Sequence, residues 1–135
     1  ILKEGSKDGN NAGGNVAIIA VGSMVEETYK AIDMLEKENV HPAFVNPVFI
    51  KPMDTELIKR VAENHKHIIV VEEGIKKGGF GESVETFILE SGIDADVQVM
   101  AIDDRFVEQG NVALLREEIG ISYKNIYEKV MELTR

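Results

Sequence analysis

Short apolar runs recur along the chain, separated by turns and by stretches in which apolar residues return every three or four positions. Four runs predict β-strands, at Val16–Val21, Pro42–Val45, His67–Val71 and Val97–Ile102. Each run is too short for a helix, and the first is rich in β-branched residues. This pattern is typical of strands that are covered on both faces. The first residues, Ile1–Glu4, predict a short edge strand.

The amphipathic stretches between these runs predict helices. Their expected limits are, in chain order, from Ser23 to near Asn39, from Asp54 onward, from Gly79 or Gly81 to Gly92, from Asn111 to Ile119, and from Ser122 onward. Serine and aspartate are favourable N-caps, and glycine commonly ends a helix. The predicted inner faces carry Val25, Tyr29, Ile32 and Leu35 in the first helix, Leu57, Ile58, Val61 and Ala62 in the second, Val84, Phe87 and Ile88 in the third, and Ile126, Val130 and Leu133 in the last.

The alternation of strands and helices predicts an α/β fold. Strands that are joined through helices form a mainly parallel sheet, with helices on both sides in a three-layer α/β/α arrangement. The chain shows no internal repeat, and its 135 residues suit one domain with one core. We therefore expect a single domain over residues 1–135.

Composition excludes several classes of protein. The net charge of −9 argues against binding to nucleic acid, whose phosphates an acidic surface repels. The absence of cysteine excludes disulfides and thiolate chemistry. No apolar run approaches the ~20 residues of a membrane span. The absence of cysteine also fits a cytoplasmic protein. Because the chain starts at Ile1 with no signal-peptide pattern, we expect a piece of a longer protein.

The main candidate for chemistry is the segment VVEEGIKKGGFGESV at residues 70–84, in which a strand runs into a glycine-rich turn and then a helix. It lacks the Gly-Lys-Ser/Thr of a P-loop and the third glycine of a dinucleotide fingerprint. The favoured interpretation is a tight turn in which Gly74, Gly78, Gly79 and Gly81 allow positive φ and close packing. An anion site and a contact with a partner domain remain the alternatives.

Two adjacent carboxylates, Glu72 and Glu73, begin this turn. In an extended segment their side chains point in opposite directions, so they cannot form one carboxylate pair. General acid–base chemistry is therefore disfavoured. One carboxylate is available to accept hydrogen bonds from amides of the glycine turn, a use that requires no catalysis.

Weaker candidates lie elsewhere. His65 and His67 would share a strand face, as metal ligands do, but no third ligand lies nearby in the sequence, and a solvated strand entrance is favoured. Ser23 lacks the surroundings of a nucleophile and is favoured as a cap. Asp104 and Arg105 follow the last strand, where α/β sheets place ligands, but an Asp–Arg pair that holds the loop is favoured over a ligand site.

Three segments carry a resemblance to a known family: VNPVFIKPMD at 45–54, the glycine segment at 70–84, and DDRFVEQG at 103–110. Over almost its whole length the chain resembles the C-terminal domain of the transketolase-like thiamine diphosphate enzymes. Within that group it is most similar to the 1-deoxy-D-xylulose-5-phosphate synthases.

The resemblance implies a mixed sheet of about five strands, with the N-terminal edge strand antiparallel to the others. It implies that the whole enzyme decarboxylates pyruvate on thiamine diphosphate and joins the two-carbon unit to glyceraldehyde 3-phosphate, for the biosynthesis of isoprenoids, thiamine and pyridoxal. Thiamine diphosphate and Mg²⁺ would lie between two preceding domains. This domain would brace them and support a homodimer, and no catalytic, cofactor-binding or metal-binding residue is carried over to it.

Three alternatives stay open. The chain could be the matching domain of a transketolase or of a 2-oxo-acid dehydrogenase β subunit. It could instead be a free-standing α/β module that binds a small anion through residues 78–81, or a pure assembly module.

Overall fold

The computed structural model describes residues 14–22, 24–47, 53–72, 79–101 and 123–134. Strands lie at Val16–Ala20 (β1), Ala43–Val45 (β2), His67–Glu72 (β3) and Asp96–Ala101 (β4), and helices at Met24–Glu36 (α1), Thr55–Asn64 (α2), Phe80–Glu90 (α3) and Tyr123–Thr134 (α4). The four core strands predicted from the apolar runs are therefore all present. None of these helices is both long and apolar enough to cross a membrane.

The four described strands form one parallel sheet in the order β2-β1-β3-β4. The predicted α/β class is confirmed. All five residues of β1 are buried because this strand lies between two neighbours and is covered on both faces. The predicted edge strand at Ile1–Glu4, the helix at Asn111–Ile119 and the cap at Ser122 lie outside the described residues.

Each face of the sheet has its own hydrophobic core, because successive side chains of a strand point to opposite faces. On one face, Ile18 of β1 and Ile69 of β3 pack with residues of α1 and α4. On the other face, Ile19 and Val70 pack with residues of α2 and α3. The predicted three layers follow from this division of the helices between the two faces.

The inner face of α1 differs from the prediction. Tyr29 is 42% exposed, whereas Met24, Thr28 and Ala31 are buried together with Ile32 and Leu35. The Thr28 hydroxyl donates to the Met24 carbonyl oxygen over 2.8 Å, which satisfies its polar group and allows burial. The Tyr29 ring instead lies edge-on against Phe44, with centroids 5.0 Å apart.

The start of α2 agrees with the sequence. Asp54 is its N-cap, and the Asp54 carboxylate accepts a hydrogen bond from the Leu57 amide over 3.1 Å. The carboxylate also faces the partial positive charge of the helix N-terminus. The cap thus satisfies one of the amides that the first helical turn leaves without a partner.

We expect Asp54→Ala to lower the free energy of unfolding by about 1 kcal/mol, the usual effect of removing an N-cap side chain. Urea unfolding would measure the change. Glu63→Ala is the control, because Glu63 is an exposed residue of the same helix and its loss also removes one negative charge. If the two variants are equally stable, the Asp54 contact contributes nothing beyond charge.

Candidate functional site

The candidate site lies at the carboxyl end of β3, where the chain leaves the sheet toward α3. Ile68 and Val70 of β3 point to the face that α2 and α3 cover. Glu72 is two positions further along the same strand, so its side chain points to that face as well. The strand therefore directs the Glu72 carboxylate toward the beginning of α3.

Glu72 accepts two backbone hydrogen bonds at this place. The Phe80 amide donates to Oε2 over 3.0 Å, and the Gly81 amide donates to Oε1 over 3.0 Å. The Glu72 residue is only 6% exposed. Its negative charge lies against the partial positive charge of the helix N-terminus, and charge-assisted hydrogen bonds of this kind are stronger than neutral ones.

This contact replaces an ordinary helix cap. Gly79 occupies the N-cap position of α3 and has no side chain that could accept a hydrogen bond. Glu72, which precedes the turn, supplies the missing acceptor from the adjacent strand. One carboxylate thus joins the end of β3 to the start of α3 across the glycine-rich segment.

Gly81 is required at its position by a close approach of helix and sheet. A Cβ atom at this residue would lie 2.5 Å from Cγ1 of Val99 in β4 and 3.1 Å from Oε1 of Glu72. Any side chain would therefore push the first turn of α3 away from both β4 and the carboxylate. Gly79, in contrast, has φ −83°, so the positive φ predicted for this turn is not found there.

The arrangement limits what this site can do chemically. Two of the amides that could bind an external anion at the start of α3, those of Phe80 and Gly81, already donate to Glu72. Both Glu72 oxygens accept from the backbone, and the residue is buried, whereas a general base must reach a proton of the substrate. The geometry is that of an internal cap between strand and helix.

Several residues singled out in the sequence are not described by the structure. They are Ser23, Glu73, Gly74, Gly78, Asp104 and Arg105. The structural or interdomain role assigned to the glycine turn and to the Asp104–Arg105 pair stays a prediction. Of the predicted set, the structure brings together Glu72, Gly79 and Gly81.

The histidines lie in different local structures. His65 is the C-cap of α2, and its Nδ1 lies 2.8 Å from the Val61 carbonyl oxygen, so it does not share a strand with His67. His67 begins β3, and its Nδ1 lies 3.5 Å from Oδ2 of Asp96, its neighbour in register on β4. Among the described residues, no group of three His, Asp or Glu side chains could hold a metal ion.

A second carboxylate, which the sequence did not indicate, accepts a hydrogen bond from a helix start that is distant along the chain. Oε2 of Glu27 in α1 accepts a hydrogen bond from the Tyr123 amide at the start of α4, over 2.9 Å. Glu27 lies in an ordinary acidic first turn, and 96 positions separate it from Tyr123. No local pattern could have found this contact.

Comparison with known proteins agrees with this fold. The family model described as "Transketolase, C-terminal domain" matches residues 8–126. The 1-deoxy-D-xylulose-5-phosphate synthase of Dehalococcoides mccartyi strain 195 is 40% identical over 124 residues, which is 90% of this chain and 19% of the relative. The protein of the same name from Alkaliphilus oremlandii is 38% identical over 120 residues, or 89% of this chain and 19% of the relative.

A solved structure, "Split gene transketolase, inactive beta4 tetramer", shows the same similarity in three dimensions. It matches with a TM-score of 0.81 and 27% sequence identity, over 98% of this chain and 40% of that chain. The chain thus spans about a fifth of the length of the curated relatives it matches, which is 19% for the first of them. From its α/β fold and its match to the family model over residues 8–126, the chain belongs to the transketolase C-terminal domain family.

Proposed function

We propose that residues 1–135 form the C-terminal domain of a 1-deoxy-D-xylulose-5-phosphate synthase. The observation that carries this proposal is the match to synthases at 36–40% identity over about nine tenths of the chain but only 19% of each relative. A segment of this size supplies one domain of such an enzyme. The proposed whole is a cytoplasmic homodimer.

The proposed reaction is the condensation of pyruvate with glyceraldehyde 3-phosphate, with loss of CO₂, in isoprenoid precursor biosynthesis. Thiamine diphosphate with Mg²⁺ would supply the electron sink for decarboxylation. The described residues do not fit that cofactor: they include no candidate metal cluster, and the Phe80 and Gly81 amides at the start of α3 already donate to Glu72. We therefore derive no catalytic step for them and assign the cofactor to other domains.

The role proposed for this domain is to brace those other domains. A brace must hold its own shape, and the strand-to-helix connection at Glu72 is closed by two hydrogen bonds to a buried carboxylate. α4 is likewise held on α1 by the Glu27 carboxylate. These contacts support a rigid structural unit.

The alternative of a transketolase domain rests on the structural neighbour, which is named as a transketolase and a tetramer. Its 27% identity is lower than the 40% of the first synthase relative, which favours the synthase. The alternative of a small-anion module is disfavoured because an internal carboxylate occupies the helix N-terminus that such a module would use.

A chimaera tests the proposal directly. The matched C-terminal segment of the Dehalococcoides mccartyi synthase would be replaced by this chain, and formation of deoxyxylulose phosphate from pyruvate and glyceraldehyde 3-phosphate would be measured. We expect activity within about tenfold of the parent, because a brace contributes through packing rather than chemistry. Deletion of the segment is the control and should abolish activity.

Results on the chimaera and on the chain alone would each contradict the proposal. One is a folded chimaera that binds thiamine diphosphate but is inactive while the parent is active. The other is tight binding of thiamine diphosphate and Mg²⁺ to the 135-residue chain alone in calorimetry, or turnover by that chain.

A further inference from the structure

A histidine–aspartate contact lies at the opposite end of β3 from Glu72, where β3 and β4 begin. His67 and Asp96 are partners in register, and the Asp96 amide donates to the Lys66 carbonyl oxygen over 2.8 Å. The two side chains meet as well, since Nδ1 of His67 lies 3.5 Å from Oδ2 of Asp96. The contact therefore joins the starts of two neighbouring strands through their side chains as well as their backbones.

The imidazole of His67 is largely withdrawn from water. Its side chain is 21% exposed, and its Nδ1 atom is buried without a hydrogen-bond partner among the described residues. A separation of 3.5 Å is too long for an ordinary hydrogen bond, but oppositely charged groups attract each other at this distance. A protonated imidazole would direct a charged N–H group at the carboxylate, so the strength of this contact depends on the protonation of His67.

The Asp96 carboxylate is held in place by a neighbour on its own strand. Gln98 lies two positions further along β4, on the same face, and its Nε2 donates to Oδ2 of Asp96 over 3.2 Å. A surface ion pair gains little stability in part because two mobile side chains must become ordered. Here the Asp96 side chain is already oriented by Gln98, and the His67 side chain is mostly buried.

The helices above this contact bring no second charge to it within the described ranges. His67 lies two positions before Ile69, so its side chain points to the face of the sheet that α1 and α4 cover. The side chains that these helices contribute to the core on that face are apolar, apart from the rings of Tyr123 and Tyr127. The helices therefore do not compete with the aspartate for the imidazole.

The neighbouring strand and chain positions lead to the same conclusion. On β1, the partner of His67 in register is Val16, which is uncharged. Lys66, the preceding residue, is exposed, so solvent and salt reduce the effect of its charge. Asp96 is thus the charged side chain with which the imidazole forms a contact in the described part of the chain.

We propose that His67 and Asp96 form a proton-dependent ion pair that holds the start of β4 on β3. Histidine ordinarily titrates at about pH 6.5 and aspartate at about pH 3.9, so both partners are charged between these values. Stabilisation by the pair is therefore present at about pH 5.5 and lost as the pH rises to about 8. This inference does not depend on the enzyme to which the domain belongs.

A double-mutant cycle in the 135-residue chain, measured at two pH values, tests the proposal. Asp96→Asn removes the negative charge and keeps the shape, and His67→Gln removes the titrating group. We expect Asp96→Asn to lower the equilibrium constant of folding about threefold more at about pH 5.5 than at about pH 8, as suits a partly exposed pair. In the His67→Gln background this difference should disappear. Urea unfolding at low salt gives the equilibrium constants.

Asp94→Asn is the matched control. Asp94 is exposed, carries the same charge and lies two positions before Asp96 on the way into β4. We expect its effect on the folding equilibrium to agree at the two pH values within about 1.5-fold, because more distant exposed charges are screened.

Hydrogen exchange locates the effect at the strand start. The Asp96 amide donates to Lys66, so its protection factor, corrected for the intrinsic exchange rate, reports opening of this end of the sheet. We compare the ratio of the protection factors at about pH 5.5 and about pH 8. It should be about threefold larger in the wild type than in His67→Gln.

The proposal is wrong if Asp96→Asn has the same effect at both pH values, because the contact then does not depend on protonation. It is also wrong if the pH dependence persists in His67→Gln, which would assign it to another group, or if Asp94→Asn reproduces it. Should His67→Gln fail to fold, the comparison of Asp96→Asn with Asp94→Asn at the two pH values still supports or overturns the pair.

Discussion

Replacing Glu72 by alanine is expected to lower the free energy of unfolding by about 3 kcal/mol. The change removes the acceptor of both the Phe80 and the Gly81 amides, and each buried donor left without a partner costs about 1–3 kcal/mol. It also removes a charge that lies favourably at the N-terminus of α3. Urea unfolding monitored by circular dichroism measures the effect.

A graded series separates the hydrogen bonds from simple loss of volume. Glu72→Gln keeps the shape and one acceptor but turns an NH₂ group toward an amide donor, so its stability should lie between those of the wild type and Glu72→Ala. Glu85→Ala changes an exposed residue of α3, the helix that Glu72 caps. It should change the free energy of unfolding by less than about 0.5 kcal/mol. A Glu72→Ala protein as stable as Glu85→Ala would show that the two hydrogen bonds contribute nothing to stability.

Gly81→Ala is the second change with a large expected effect, a loss of about 2 kcal/mol. A Cβ atom 2.5 Å from Cγ1 of Val99 cannot be accommodated without moving helix or strand, and overpacking costs about 1–3 kcal/mol. Alanine favours a helix over glycine by about 1 kcal/mol, which offsets part of this loss. We expect a net loss of stability because the β-branched Val99 side chain has little freedom to turn away from the added methyl group.

A double-mutant cycle with Val99→Ala isolates the contact. Without the Val99 methyl groups, Gly81→Ala should cost at least about 1 kcal/mol less than it does in the wild type. Ser83→Ala, on the exposed side of the same helix, should be close to neutral. If the cost of Gly81→Ala is the same with and without Val99→Ala, the close approach of α3 to β4 is not the reason for glycine.

Part of the site could be predicted from the sequence because the directions of neighbouring side chains along a strand depend only on local structure. The alternation of side chains along a strand predicted that Glu72 and Glu73 point in opposite directions. It did not show which of them faces α3, because that depends on the face of the sheet on which the chain places the helix. The structure assigns this face through the core that Ile68, Val70 and Val84 share.

The error at Tyr29 has a similar cause. The spacing of apolar residues in α1 admits two neighbouring faces, one centred near Tyr29 and one near Thr28. Sequence patterns favour the more apolar choice. The structure buries Thr28 because its hydroxyl donates to Met24 within the helix, and the Tyr29 ring packs at the edge against Phe44.

The four strands, the helices between them, the Asp54 cap and the α/β class could be predicted from the sequence, because each depends on residues a few positions apart. Three contacts became visible only in the packed molecule: Glu72 caps α3, Val99 excludes a side chain at Gly81, and Glu27 holds the start of α4. Those contacts join residues on different elements. Their distances are set by how helices pack on the sheet, which no local pattern encodes.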